Sequence, residues 1–363
     1  MTDCPQAVDA IVVGGGPAGA TTALLLVRAG ISTLLLESSD GSAQPIGETL
    51  PPVANRLLRD LDLWDAFGKQ GHRASEGIIS AWSDDHPQAN DFFVSAQGPG
   101  WNLDRTRFDV MLLQECESAG AVISRRSRLL ACHRTPDRRW LLEFRKNGRR
   151  YRTHSRHLVD ATGKLGAVPL RGLARRVAMD RLIGVASFLP CADASRYTIV
   201  EAVDDGWFYS ARLPRERIAV MYFTDADIYS ARRKTDSHYW NTQLNKARHT
   251  RDRIRNAAVP PNLIIVPATT TRREQSAGEG WIAVGDAAQS FDPLSSLGIF
   301  KALDSARCAS ETVTTVLSGT DPGGSYANWS REVFGHYLRR RAEYYKSQRR
   351  WAGSTFWERR RTA

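Results

Sequence analysis

Six residues near the start of the chain, Gly14-Gly15-Gly16-Pro17-Ala18-Gly19, carry almost no side-chain bulk, and they restrict its fold more than any other segment. The run before them, Asp9 to Gly14 (DAIVVG), reads as a short buried strand. Pro17 to Ala29 reads as a helix, with Pro17 suited to its first turn and Gly30 to the position just past its end. Ser32 to Glu37 (STLLLE) reads as a second strand, so the segment forms a βαβ unit with a right-handed crossover. The G-x-G-x-x-G spacing matches what a dinucleotide needs. Gly14 permits the tight turn, Gly16 lets backbone approach a diphosphate, and Gly19 lets helix and strand pack closely. The helix start at Pro17 and Ala18 then presents free N–H groups and a partial positive charge to the phosphates. Glu37 lies 23 residues after Gly14, at the end of the second strand. There its carboxylate can accept hydrogen bonds from the adenosine ribose and repel a 2′-phosphate. This fingerprint alone does not separate NAD from FAD.

Farther along, Asn55 to Phe67 reads as a helix, with Leu57, Leu58, Leu61 and Trp64 at helical spacing. Phe108 to Ala119 reads as another. Ala121 to Arg134, Trp140 to Lys146 and Tyr151 to Val159 read as strands. About Ala178 to Thr224 is rich in strand formers, and Pro214-Arg215-Glu216-Arg217 turns a hairpin between Trp207–Ala211 and Ile218–Phe223. Ser237 to Asn256 reads as a charged helix, Trp281 to Val284 as a buried strand, and Gly298 to Leu317 as a long helix. The nucleotide lobe is therefore discontinuous, with a strand-rich insertion. We expect it at 1–75, 100–175 and 275–330, the inserted substrate lobe at 76–99 and 176–274, and a basic helical tail at 331–363.

Four further motifs carry chemistry. Trp281 to Ala288 (WIAVGDAA) is an apolar strand ending in Gly285-Asp286, and Asp292 to Ile299 (DPLSSLGI) leads into the long helix. Ile46 to Pro52 (IGETLPP) follows the second strand. Trp101 to Asp109 contains Arg105, with Asp109 one turn later. Val159 to Gly163 (VDATG) ends another strand.

Together these segments resemble the p-hydroxybenzoate hydroxylase and tryptophan halogenase superfamily. That resemblance implies an α/β fold, a Rossmann-like FAD-binding domain with an inserted β-rich substrate domain, and a non-covalently held FAD. It implies that Asp286 bonds the ribityl chain and that Glu48 and Thr49 lie on a segment wrapping the flavin. It further implies that Arg105 contacts FAD, although an Arg105–Asp109 ion pair at the start of the next helix is the competing reading. The backbone at Pro293, Ser296 and Gly298 is expected beside the flavin ring, with the helix from Gly298 directing its positive end at the ring's N1–C2=O edge. Trp207 and Tyr209, on one face of a strand, are candidates for the substrate wall or for plain core. The segments IGETLPP, DPLSSLGI and Arg349 to Arg360 (RRWAGSTFWERR) also resemble the flavoprotein maturases of tryptophylquinone-containing oxidases.

Departures from the halogenases direct the functional reading. Of their W-x-W-x-I-P motif, only Trp207 is kept. Ser295 stands where they have glutamate. Their essential lysine, expected near Ala74 to Ile79, has no counterpart there, and only Lys69 lies nearby. The expected function is an FAD-dependent monooxygenase, with NAD(P)H or a partner reductase as electron donor and O2 as co-substrate. Its substrate is an electron-rich aromatic ring, either a small aromatic or a tryptophan of an acidic partner protein. A flavin reductase or dehydrogenase of geranylgeranyl reductase type, or a halogenase-like tailoring enzyme, is the alternative.

Charge bears on the partner. The 363-residue chain has net charge +11, with Arg339, Arg340, Arg341, Lys346, Arg349, Arg350, Arg359, Arg360 and Arg361 clustered near its end. Two readings stand for that cluster: a solvated helix face with a frayed tail, or a docking surface for an acidic partner. No nucleic-acid motif accompanies the charge. The five scattered cysteines have no metal spacing and read as reduced thiols. With neither a secretory signal nor an apolar run of membrane-spanning length, the expected location is cytoplasmic.

Overall fold

The computed structural model describes residues 4–40, 46–94, 96–191, 195–232, 236–254, 263–320 and 324–361. Its centre is a parallel sheet in the order Trp281–Ala283, Arg149–Asp160, Ala7–Val13, Thr33–Leu36, Val122–Ser124. An antiparallel pair, Ser127–Arg134 and Trp140–Lys146, extends it beside Arg149–Asp160. Helices Pro17–Arg28, Arg105–Ser118 and Gly298–Leu317 bury their apolar faces with this sheet in one core that includes Val12, Leu24, Leu35, Phe108, Val159 and Leu303. In register, Val13 pairs with both Leu36 and Asp160. The carboxyl ends of neighbouring strands therefore open onto one crevice, where ligands of such sheets bind.

A second, mostly antiparallel sheet runs Ile264–Pro267, Leu182–Pro190, Arg217–Asp225, Gly206–Leu213, Tyr197–Val203, Gly77–Ala81, Gln88–Asp91. Its central strands are buried on both faces. One face carries Phe208, Val220 and Tyr222 against Tyr239 and Trp240. The other carries Trp207, Tyr209, Met221 and Phe223, in one cluster with Tyr345, Phe356 and Trp357 from the end of the chain.

Three expected elements are divided, each by a local device. The helix over Asn55–Phe67 is two helices, Ala54–Asp60 and Trp64–Gly68. Asp62 adopts φ 53°, and the Leu63 N–H reaches back to the Leu58 carbonyl, a Schellman stop. Helical spacing continues across the break because Leu58, Leu61 and Leu63 all enter the same core. Ala121–Arg134 is interrupted at Arg126, φ 55°. Ser237–Asn256 is two helices, Asp236–Leu244 and Arg248–Arg253, and its last two residues lie outside the described ones. The second starts afresh because the Glu201 carboxylate, on a strand of the second sheet, accepts the His249 and Thr250 N–H groups at 3.1 and 2.8 Å.

The frayed-tail expectation is overturned. Helices Ser325–Ser347 and Thr355–Arg361 pack on the second sheet, and Phe356 and Trp357 are fully buried. Much of the basic cluster has internal partners. Arg341 bonds Asp180 and Asp292, Arg350 bonds Asp85, Arg359 bonds Asp225 and Asp227, and Arg360 bonds Asp225. Among the described residues no helix is long and apolar enough to cross a membrane.

Arg360 and Asp225 are each 3 % exposed in their side chains and meet at 2.6 Å. Breaking such a pair from one side leaves a poorly compensated buried charge, so Arg360→Ala should cost about 3 kcal/mol. In a chain of this size that lowers the thermal midpoint by roughly 4 °C, measurable by differential scanning calorimetry.

Candidate functional site

The glycine loop is shaped by contacts that leave no space for side chains. A Cβ on Gly14 would lie 2.3 Å from the Ala161 carbonyl oxygen, and one on Gly19 would lie 1.8 Å from that of Gly14. These two glycines let the first helix pack onto the strand ends. Gly16 differs, since a Cβ there meets nothing within 4 Å. Its role is to keep space open on the cavity side. Helix Pro17–Arg28 begins there with no side-chain cap and no acid in its first turn, so its free N–H groups and positive end face the opening. Gly285, at φ +58°, joins the two halves of the fingerprint, because a Cβ there would meet the Ala18 methyl at 2.7 Å.

A cavity of about 440 Å³ begins at this loop. Gly16, Pro17 and Ala18 line one end, with Lys164 and Asp286 nearby in its wall, and the lining continues through Glu48, Thr49 and Arg105. Pro293, Ser296 and Gly298 line it on the loop leading into the long helix, with Tyr209, Met221 and Phe223 contributed by the second sheet. Ser296 holds a left-handed conformation, φ 53°, that turns the chain into that helix. The Asp286 carboxylate is anchored by Lys301 at 2.6 Å, and this ion pair, with Lys164 adding to it, overcomes burial and holds its pKa below the usual range. Burial pushes the Lys164 ammonium pKa down, against the pull of Asp286.

Arg105 forms the expected ion pair and also lies in the cavity lining. It pairs with Asp109 at 3.0 Å, yet lines the cavity while donating to the Ile46 and Gly47 carbonyls at 2.7 and 2.8 Å. It thereby pins the segment that carries Glu48 and Thr49. The Thr49 and Tyr209 hydroxyls bond each other across to the second sheet. Burial raises the Tyr209 phenol well above its ordinary pKa, so it stays neutral.

Some expected residues fall elsewhere. Gly14 and Gly19 act beneath the cavity wall. Glu37 is at the second strand's end, accepting from the Gly15 N–H. Trp207 is not in the wall: it is fully buried, stacked on Phe223 at 4.2 Å, and donates to the Tyr345 hydroxyl at 3.2 Å. It shares a sheet face with Tyr209, but its position along the strand sets it behind Phe223 and against Tyr345. Lys69 is exposed and does not line the cavity. Among the described residues no group of three or more His, Cys, Asp or Glu side chains could hold a metal ion.

Sequence reasoning missed Lys164, Lys301, Arg341 and Tyr345. Asp292, which opens the flavin-loop motif, is fully buried. Its carboxylate accepts from Tyr345 at 2.8 Å, Arg341 at 3.2 Å and the Leu294 N–H at 3.0 Å, and its own N–H donates to Tyr337 at 2.8 Å. The stripe Tyr337, Arg341, Tyr345, at four-residue spacing on one helix, was the available signal. A lysine directly after the VDATG strand end was the signal for Lys164.

The chain matches the FAD binding domain family over residues 7–332. It belongs to that family. It is 31% identical over 361 residues to LodB of Marinomonas mediterranea, assigned as an FAD-dependent oxidoreductase, covering 98% of this chain and 97% of that one. The myxobacterial chondrochloren halogenase CndH shares the fold, with TM-score 0.91 and 23% identity over 98% of this chain and 86% of that one. So does the peptidyl tryptophan dihydroxylase QhpG, essential for tryptophylquinone cofactor biogenesis, with TM-score 0.78 and 22% identity over 97% and 78%. The chain is thus an FAD-dependent oxidoreductase, and its mixed α/β fold is the one that the flavin-dependent halogenases share. The site fits FAD on the structure's own terms: a backbone cradle left open at Gly16 and an uncapped helix start free of acids.

Two alanine substitutions separate packing from binding. Gly16 has φ −68° and open space, so Gly16→Ala should fold with an unchanged thermal midpoint. Its methyl blocks backbone approach, and FAD affinity measured by flavin fluorescence should drop at least about tenfold, or 1.4 kcal/mol. Gly19→Ala should lose several kcal/mol of stability through the clash with Gly14.

Proposed function

We propose that this enzyme is a flavin-dependent monooxygenase that hydroxylates an electron-rich aromatic ring, and that the ring is a tryptophan side chain presented by a partner protein. The observation that carries this reading is the cavity's outer wall. Tyr209, Met221 and Phe223 form an apolar, aromatic surface in the same cavity as the Pro293–Gly298 backbone. Neither Arg73–Ser75 nor Gly77–Ala81, the strands where a halogenase-type lysine was expected, contributes a lysine. The fold shared with QhpG, a peptidyl tryptophan dihydroxylase, supports a protein substrate over a free small molecule.

In this reading Gly14, Gly16, Pro17, Ala18, Gly19 and Glu37 hold the dinucleotide half of FAD. Asp286 takes the ribityl chain, and Glu48, Thr49 and Arg105 hold the wrapping segment. Bound FAD, reduced by NAD(P)H or a partner reductase, supplies the activation of O2. The chain's own residues do the rest. The Tyr209–Phe223 wall orients the ring and excludes water, and Pro293, Ser296 and Gly298 shape the oxygen space. The exposed Arg339, Arg340 and Arg349 favour an acidic partner. Lys164 supports a second reading, halogenation, because it places in the cavity a lysine whose pKa burial lowers.

The test supplies the enzyme with FAD, a flavin reductase, NADH and ¹⁸O2. Substrates are free tryptophan, a tryptophan-containing peptide and an unmodified tryptophylquinone-oxidase precursor. Mass spectrometry should find ¹⁸O on one tryptophan of the precursor and, with bromide present, no bromine on any substrate. Brominated product, or turnover that consumes no O2, sinks the proposal.

A further inference from the structure

The aromatic side chains behind the cavity wall form a continuous row that ends at solvent. Phe223, a lining residue, stacks on Trp207 with ring centroids 4.2 Å apart. Trp207 meets Trp82 at 6.2 Å, and Trp82 meets Tyr344 at 4.9 Å. Exposure rises along the row: Trp207 is fully buried, Trp82 is 4 % exposed and Tyr344 is 40 % exposed. Apolar burial alone does not call for indoles here, because each buried N–H must then be given an acceptor. The Trp207 N–H donates to the Tyr345 hydroxyl at 3.2 Å, and the Trp82 N–H to the Tyr344 carbonyl at 3.0 Å. What indoles and phenols add is chemical. Apart from thiols, they are the side chains that give up a single electron most readily.

Two other routes leave the same rings, and charge closes both. One runs from Trp82 to Trp357 at 5.2 Å and on to Trp351 at 5.9 Å, within the RRWAGSTFWERR tail. The Arg350 guanidinium lies over Trp351, 4.2 Å from its ring centre. A ring that has lost an electron is itself positive, so this route ends against a like charge. The other ends on Tyr345, which has Arg341 and Arg360 at 5.1 and 5.3 Å from its ring centre. Its O–H donates to Asp292, a carboxylate already paired with Arg341 and therefore a poor proton acceptor. Tyr344 has an exposed ring and a surface hydroxyl, bonded to Ser80 at 3.0 Å, from which a proton can pass to water.

We propose that Trp207, Trp82 and Tyr344 form an electron-hopping path that carries an oxidising equivalent from the coenzyme cavity to the protein surface. Trp207 gives one electron to a one-electron oxidant held in the cavity. Trp82 refills Trp207, and Tyr344 refills Trp82. The Tyr344 phenolic proton goes to water, which leaves a neutral tyrosyl radical for an external reductant such as ascorbate to quench. The path drains stray oxidants away from Tyr209 and Met221, which line the same cavity. This rests on FAD binding in the cavity and not on the hydroxylation proposed above.

The test uses full-length protein with bound FAD, without substrate and without O2. A light pulse makes the flavin the one-electron oxidant, and transient absorption with electron paramagnetic resonance identifies the side-chain radicals. Wild type should end with a long-lived tyrosyl radical that ascorbate removes. Tyr344→Phe should lose that signal, leaving tryptophan radicals that return to the ground state by recombination. Trp82→Phe and Trp207→Phe should also lose it, with FAD affinity unchanged in a fluorescence titration. Trp351→Phe, on the closed branch, and Tyr209→Phe, in the wall, should keep it. A wild type with no long-lived tyrosyl radical, a signal that survives in Tyr344→Phe or in a folded Trp82→Phe or Trp207→Phe, or a signal lost in Trp351→Phe or Tyr209→Phe overturns the inference and leaves the coenzyme assignment intact. Should the buried tryptophan variants fail to fold, the exposed Tyr344→Phe decides. A wild-type protein that binds no FAD overturns both.

Discussion

Everything in this molecule depends on how closely backbone approaches backbone where the first helix meets the strand ends. Gly19 lies against the Gly14 carbonyl, Gly14 against Ala161, and Gly285 against Ala18. Each contact is shorter than any Cβ allows, so a single methyl would force helix and sheet apart. With the contacts in place, the helix dipole points into the crevice at the carboxyl ends of the parallel strands. Asp160 braces the same junction from below: it is fully buried, accepts from Thr162 at 2.6 and 3.0 Å, and pairs with Arg273. These interactions hold the anion-binding end rigid without using any side chain that would occupy the coenzyme's space.

The opposite side of the cavity is held by a different device. The loop from Asp292 to Gly298 carries its own Asx bond to Leu294, but its position is set by the C-terminal helix through Tyr337, Arg341 and Tyr345. Arg341 lies between Asp292 and Asp180, which repel each other; burial and that repulsion raise the Asp180 pKa, with Arg341 opposing. Buried carboxylates of this kind are stable only when a cation is fixed between them. Arg341, Arg350, Arg359 and Arg360 are therefore counter-ions for Asp85, Asp180, Asp225, Asp227 and Asp292, while Arg339, Arg340, Lys346 and Arg349 stay exposed.

This explains what the sequence could disclose. The fingerprint, the Gly-Asp strand end and the strand-rich insertion were legible because local physics dictates them: a turn without side chains, an apolar run, a period of two. Gly16, Pro17, Ala18, Glu48, Thr49, Arg105, Asp286, Pro293 and Gly298 all line the one cavity. The breaks at Asp62 and Ala247 were not legible, because a left-handed aspartate and a capping glutamate from a distant strand leave hydrophobic spacing unchanged. Trp207 and Tyr209 were indistinguishable on period alone. Only the tertiary stack with Phe223 puts Tyr209 in the wall and Trp207 behind it. The tail's arginines read as solvated because their partners lie more than a hundred residues earlier in several cases, as with Arg360 and Asp225.

The two ends of the cavity also differ in electrostatic character, and that difference orients the ligand. Near the glycine loop the lining offers unpaired N–H groups and Lys164, with Asp286 neutralised by Lys301. Toward the second sheet it offers a high-pKa phenol, a hydroxyl pair, a carboxyl whose pKa burial raises, and the side chains of Met221 and Phe223. A molecule with an anionic middle and a flat, uncharged, acceptor-rich ring is favourable in one direction. Reversed, it would set its phosphates against Met221 and Phe223, where the cation on that side, Arg105, is already committed to Asp109 and two backbone carbonyls. A ligand of that kind is thereby favoured with its flat ring toward Tyr209, Met221 and Phe223 and its anionic part toward the glycine loop.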